Sequence, residues 1–228
     1  MLISKLLIKI LFNNLPKIVG GNGTKWSYSS VNNSKVMANY ETGYFTYKIV
    51  ATIENGNKFN NEINDNITSI VFTDQKIPDN IEAKDISQDQ NGSVLGYSID
   101  NTYYITTAKT GIQVKAGKDC SNMFKDKSNI TSIDFSNFDT KDMINMSNMF
   151  SGMCNIESIN ISTFNTSSVT NMSGLFNGCS SLTYLNLTKN DTNNVVDMSN
   201  MFSNCDKLKT IEIDDRWNIE KVIKSDNM

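Results

Sequence analysis

A period of 26 residues in the second half of the chain is the feature that most constrains its fold. Four apolar pairs recur at this spacing without an insertion: Met123-Phe124, Met149-Phe150, Leu175-Phe176 and Met201-Phe202. The residues in front of each pair match as well, as in Asn145-Met146-Ser147-Asn148. A fixed period indicates one structural element that recurs and buries its apolar side chains against its neighbours. We number the repeats 1 to 4, beginning at residues 119, 145, 171 and 197.

Each pair is followed by an apolar triplet with the spacing LxxLxL. The members are Ile130, Ile133, Phe135; Ile156, Ile159, Ile161; Leu182, Leu185, Leu187; and Leu208, Ile211, Ile213. The last two residues of a triplet alternate with polar residues, as in a half-buried strand. We expect these side chains to form buried ladders, and the Met-Phe pair to fill the opposite side from a short helical or 3₁₀ turn. The sequence therefore predicts a repeat solenoid that is mainly β with short helical turns.

The sequence motif of the repeats resembles that of a known family. ITSIDFSNFDTKDMINMSNMF (130–150) and SLTYLNLTKNDTNNVVDMSNMFSNC (181–205) are similar to the BspA-type leucine-rich repeat surface proteins, whose repeats commonly read LTSLDLSNFDTSNVTNMSxMFxxC. The resemblance covers roughly residues 66 to 223. It implies a leucine-rich-repeat-like solenoid, display at a microbial surface and attachment to host or neighbouring-cell proteins. The chain departs from the pattern at Asn190, which replaces a Phe, and at Cys120, which replaces a Met.

The first half of the chain lacks complete repeats but shares one strand signature with them. ITSIVF (67–72) matches ITSIDF (130–135) and predicts a first strand. Short strands are then expected over 93–99, 102–106 and 112–115, with Asp100-Asn101 as a two-residue hairpin turn. We expect this hairpin to cap the open apolar end of the solenoid.

Composition shifts and turn residues divide the chain into five parts. These are an amphipathic or leader segment (1–20), an N-terminal region of unknown fold (21–65), a degenerate first coil with the hairpin cap (66–118), the repeats (119–223) and a tail (224–228). In the first part, Lys5, Lys9 and Asn13 share one helical face, which favours an amphipathic packing helix over an export signal or a membrane-surface helix. No apolar run reaches the roughly 20 residues of a transmembrane helix.

The amino-acid composition excludes several classes of catalytic site. The chain has no histidine, which removes Ser-His and Cys-His nucleophile pairs and His-ligated zinc. A single arginine, Arg216, and a formal net charge of −3 argue against a nucleic-acid groove. Cys179 and Cys205 stand one repeat apart, which permits a disulfide but favours a reduced buried pair. We therefore expect a protein that is not an enzyme and has no cofactor and no metal.

The remaining functional candidate is a surface. The outward positions of the predicted strands form two polar ladders: Ser132, Ser158, Tyr184 and Thr210, and beside them Asp134, Asn160, Asn186 and Glu212. We predict that these eight residues form a protein-binding face with Tyr184 as an anchor, the alternative being a solvated sheet face. The resemblance favours adhesion at a cell surface or outside the cell. Because the sequence shows no clear export signal, a virion-borne, phage receptor-binding protein or an intracellular interaction protein in the cytoplasm is the alternative.

Overall fold

The computed structural model describes residues 36–38, 45–47 and 50–228 of the chain. The chain divides into two compact regions, residues 1–48 and 49–228. The first region contains an antiparallel pair, β1 (Val36–Ala38) and β2 (Phe45–Tyr47). The segment predicted over residues 1–20 lies outside the described residues. The five-part division of the sequence stays a prediction.

The second region opens with a short helix, α1 (Gly56–Asn60). Asn55 precedes it and accepts a hydrogen bond from the Lys58 amide at 3.1 Å, which satisfies a helix-start amide that would otherwise lack a partner. Phe59 is fully buried and meets the ring of Phe124 edge-on, with 5.8 Å between ring centroids. The helix therefore packs on the first repeat.

A side chain of α1 also binds the backbone of that repeat. Asn60 donates its Nδ2 hydrogens to the carbonyl oxygens of Asn122 at 2.9 Å and Lys125 at 3.0 Å. These carbonyls belong to the Met-Phe turn of repeat 1. Helix α1 therefore closes the N-terminal end of the repeats by both apolar and polar contacts.

A five-stranded sheet follows α1. Its strands are β3 (Ser69–Thr73), β4 (Lys84–Asp85), β5 (Leu95–Ile99), β6 (Thr102–Thr106) and β8 (Ser132–Asp134), in the spatial order β4-β5-β6-β3-β8. The predicted hairpin is confirmed, since β5 and β6 pair antiparallel around Asp100, which has a φ of 50°. The hairpin is part of the sheet, because β6 pairs in parallel with β3.

Two further parallel pairs complete the strands of this region. β7 (Val114–Lys115) pairs with β9 (Phe138–Asp139). β10 (Tyr184–Asn186) pairs with β11 (Thr210–Glu212). Repeat 2 contributes no named strand, and two isolated parallel bridges join it to repeat 3, Asn145 with Asn171 and Ser158 with Tyr184.

The predicted fold class, a leucine-rich-repeat-like solenoid that is mainly β, is wrong. In the described residues the strands form four separate small sheets, and none of them runs through all the repeats. The expectation of short helical or 3₁₀ segments at the Met-Phe pairs is wrong as well. These pairs lie in hydrogen-bonded turns that do not form a helix. The observed architecture is a set of small mixed sheets joined by turns, with a five-residue helix at its start.

Side chains that bind their own backbone explain why the strands stay short. Asp134 accepts a hydrogen bond from the Ser136 amide at 2.8 Å, directly after β8. Asn160 does the same for Ser162 at 3.0 Å in repeat 2. Such turns compete with sheet hydrogen bonding, and the LxxLxL strands of repeats 1, 3 and 4 are only three residues long.

Backbone hydrogen bonds between repeats are concentrated in the Met-Phe turns. In repeat 2 the amides of Asn148, Phe150 and Gly152 donate to carbonyls of repeat 3 at 2.8, 3.0 and 2.7 Å. Asn148 and Gly152 have φ values of 53° and 76°, a left-handed conformation that Asn and Gly adopt more readily than other residues. Repeats 1 and 3 donate to their successors at the equivalent positions. We call this set of bonds the turn ladder.

The phenylalanines of the Met-Phe turns stack along the turn ladder. The rings of Phe124, Phe150, Phe176 and Phe202 lie with neighbouring centroids 5.6, 5.6 and 6.0 Å apart and interplanar angles of 3, 9 and 4°. The first three rings are fully buried, and Phe202 is partly buried. This stack is the centre of the core.

The expected burial of the triplets holds in repeats 2 and 3, whereas Ile133 of repeat 1 is only partly buried and the triplet of repeat 4 is open. Leu185 and Leu187 of repeat 3 are 0% and 1% exposed, whereas Ile211 and Ile213 of repeat 4 are 37% and 52% exposed. The prediction that Ile211 and Ile213 are core residues is therefore wrong. Residues 224–228 bond to the turn of repeat 4, but no described residue covers Ile211 and Ile213 as repeat 4 covers Leu185 and Leu187.

The glycine at the start of α1 gives a test of this packing. A Cβ atom on Gly56 would overlap the carbonyl oxygen of Ser121, a backbone atom of repeat 1. We expect Gly56→Ala to lower the free energy of unfolding by about 1–3 kcal/mol, as overpacking does. Chemical denaturation with fluorescence detection measures the change.

Gly117→Ala is the matched control. A Cβ atom there meets nothing closer than 3.6 Å, so we expect its free energy of unfolding to stay within about 1 kcal/mol of the parent chain. Equal stabilities for the two variants would contradict the packing of α1 on repeat 1.

Candidate functional site

The structure separates the eight residues of the predicted binding face into two groups. Ser132 and Asp134 lie on β8 in the five-stranded sheet, and we call the outer face around them the first patch. The other six belong to repeats 2 to 4 and form the second patch: Ser158, Asn160, Tyr184, Asn186, Thr210 and Glu212. Among the described residues, no bridge joins Ser132 to Ser158.

The second patch is centred on one carboxylate. Tyr184 donates its hydroxyl hydrogen to Oε2 of Glu212 at 2.7 Å, and Asn186 donates from Nδ2 to the same oxygen at 3.4 Å. The parallel pairing of β10 with β11 sets Tyr184 beside Thr210 and Asn186 beside Glu212. The ring of Tyr184 is thus held by its hydroxyl while the residue remains 39% exposed. The hydrogen bond to Glu212 raises the pKa of the Tyr184 phenol.

Three of the predicted face residues also have a structural role. Asp134, Asn160 and Asn186 each accept a hydrogen bond from the amide two residues later. The oxygens of Asp134 and Asn186 bond at the ends of β8 and β10, and in all three residues this part of the side chain is already bonded within the protein. The residues with more freedom to meet a partner are therefore Ser158, Tyr184 and Thr210, which are all exposed.

The first patch contains residues that the sequence analysis missed. Ser132 donates its hydroxyl hydrogen to Oγ of Ser69 at 2.9 Å, and β3 places Val71 beside Asp134. On the other side of Val71 stands Tyr104, whose ring stacks on Tyr97 at 5.1 Å and 11°. The sequence contains a signal for Val71, because aligning ITSIVF (67–72) with ITSIDF (130–135) places Val71 at the position of Asp134.

The cysteines are suited to packing. The described structure contains no disulfide, and Cys179 and Cys205 donate their thiol hydrogens to the carbonyls of Phe150 and Phe176 at 3.1 and 3.0 Å. Burial raises the pKa of the Cys179 thiol to about 12, and that of Cys120 to about 12 as well. A thiol with so high a pKa is a poor nucleophile at neutral pH, because the thiolate is the reactive form.

A cleft of about 420 Å³ lies apart from both patches. Lys58, Lys115 and Lys118 line it together with acidic side chains, and Lys115 forms an ion pair with Asp142 at 2.8 Å. The hydrogen bond from Lys115 lowers the pKa of Asp142. Within the described residues, no group of three or more Cys, Asp or Glu side chains is arranged to hold a metal ion.

Comparison with known proteins gives one similarity. A family model described as "Mycoplasma protein of unknown function, DUF285" matches residues 118–228. The match begins one residue before repeat 1 and covers all four repeats. Searches among characterised proteins and among solved structures found no match. The part of the chain that the structure describes contains no helix that is long and apolar enough to span a membrane.

The contact between Tyr184 and Glu212 can be tested by titration. Glu212→Gln removes the carboxylate that raises the pKa of the phenol, so we expect the pKa of Tyr184 to fall. NMR of ¹³Cζ-labelled tyrosine over alkaline pH measures it. Asp134→Asn, in the first patch, is the control and should leave this pKa unchanged. If both variants titrated like the parent chain, the hydrogen bond would be refuted.

Proposed function

We propose that the chain is a non-enzymatic protein-binding module and that the second patch contacts its partner. The observation that carries the proposal is the exposed ring of Tyr184, held by its hydroxyl bond to Glu212. Aromatic residues are enriched in interfaces and often supply much of the binding energy. A ring that is already ordered loses less conformational entropy when a partner binds.

The surroundings of Tyr184 support a flat protein contact. Ser158 and Thr210 flank the ring on the two neighbouring repeats, and both are exposed. Their hydroxyl groups offer donors and acceptors at a spacing close to that of neighbouring strands, about 4.8 Å. An apolar ring bordered by hydroxyls is typical of an interface core with a polar rim.

We further propose that this binding serves adhesion at a microbial surface. The support is the resemblance of residues 66–223 to BspA-type surface proteins. The family model that matches residues 118–228 describes proteins of unknown function and does not address adhesion. The absence of histidine from the sequence and the buried thiols of Cys120 and Cys179 support a role without catalysis.

An adhesion assay tests the proposal. Beads that carry the full chain are offered to cultured animal cells, and retention under flow is compared with that of uncoated beads. We expect coated beads to be retained and Tyr184→Ala to reduce the apparent affinity roughly 30-fold, the effect of losing a hot spot of about 2 kcal/mol. Ile112→Ala, equally exposed at 39% but outside the patch, should bind like the parent chain.

Two results would contradict the proposal. Retention no greater than that of uncoated beads would refute adhesion to these cells. Retention that is unaffected by Tyr184→Ala, in a variant that melts like the parent chain, would show that the second patch is not the binding surface.

A further inference from the structure

The C-terminal end of the repeats presents an apolar surface. We define the end face by the apolar residues of repeat 4 that occupy or follow the core positions: Phe202, Leu208, Ile211, Ile213, Trp217, Ile219 and Val222. Each is partly buried or exposed, whereas Phe176, Leu182, Leu185 and Leu187, the repeat 3 equivalents of the first four, are buried. Neighbouring exposed apolar side chains that form one patch mark interaction sites.

A free strand edge borders the end face. β11 pairs with β10 on one side, and no described residue pairs with its other side. An unpaired edge next to apolar side chains is a template for pairing with another strand. Segment 224–228 extends the turn ladder from Met198 and Asn200, and it leaves the edge of β11 open.

The opposite end of the array cannot supply the missing partner. Helix α1 covers it, with Phe59 fully buried against Phe124 and Asn60 bonded to the turn of repeat 1. Head-to-tail stacking of two copies through an apolar end is therefore blocked. When the end faces of two copies meet each other, the contact is instead closed and twofold-symmetric.

The charges around β11 favour an antiparallel contact. Lys207 and Lys209 precede the strand, and Asp214 and Asp215 follow it. Asp206 reduces the positive charge before the strand, and Arg216 forms an ion pair with Asp214 at 2.9 Å, so the net charge is positive before β11 and negative after it through Asp215. Antiparallel strands bring the start of one copy to the finish of the other, so that opposite charges meet. A parallel arrangement would bring like charges together.

We propose that the end face is a homodimer interface in which two copies of β11 pair antiparallel about a twofold axis. Ile211 then lies opposite its counterpart at the axis, and Thr210 lies opposite Glu212 of the other copy. The apolar side chains of both end faces are buried in the contact. The proposal does not depend on any other partner or on adhesion.

Sedimentation equilibrium of the full chain tests the interface. We expect a dimer at micromolar concentration, and a monomer for Ile213→Lys, which places a charge in the buried contact. Ile144→Lys is the matched control, since Ile144 is 38% exposed but lies outside the end face, and it should remain dimeric. A parent chain that sediments as a monomer, or equal dimerisation of the two variants, would overturn the proposal.

Charge exchange tests the antiparallel arrangement. Lys209→Glu and Asp215→Lys each place like charges together across the twofold axis, so each alone should weaken dimerisation about tenfold or more. The double variant restores opposite charges across the axis and should recover most of the loss. A double variant weaker than either single variant would overturn the antiparallel pairing.

Discussion

The turn ladder is the interaction on which the rest of the structure depends. Alternate amides of each Met-Phe turn donate to the carbonyls of the next repeat, for example from Phe150 to Leu175 at 3.0 Å. This spacing sets one phenylalanine over the next and forms the ring stack. Because the ladder uses backbone atoms, the side chains on either side are free to pack inward or face solvent. Residues with a left-handed backbone conformation, such as Asn148, give the turns the curvature that these bonds require.

The surfaces of the protein follow from this register. With the turns fixed at a spacing of one repeat, the outward residues of successive repeats stand side by side, which brings Tyr184 within reach of Glu212. In the described residues the triplet of repeat 4 remains open, since Ile211 and Ile213 lack the packing that repeat 4 gives to Leu185 and Leu187. The second patch and the end face are therefore two products of one backbone arrangement, a lateral surface and a terminal one.

The 26-residue period predicted that the phenylalanines of the Met-Phe pairs share a core, and Phe124, Phe150 and Phe176 are all fully buried. It was not sufficient to predict the sheets. A period shows which residues are equivalent but not whether they bond to the next repeat or to their own turn, and Asp134 and Asn160 bond to their own turns. Tyr104 was missed because its place beside Val71 depends on the order of the strands in the sheet. The triplet pattern places Ile213 at a core position, but its side chain is buried only if other residues pack against it.

The most direct test of the central claim compares two members of the ring stack. Phe150 is fully buried between two rings, whereas Phe202 is partly buried and stacks on one side. We predict that Phe150→Ala lowers the free energy of unfolding by about 3–5 kcal/mol, and that Phe202→Ala lowers it by less than half as much. Both losses are measured by chemical denaturation in the Ile213→Lys background, which we expect to be monomeric, so that dimerisation does not contribute to them. Equal losses, or a Phe150→Ala chain as stable as its parent, would contradict the account.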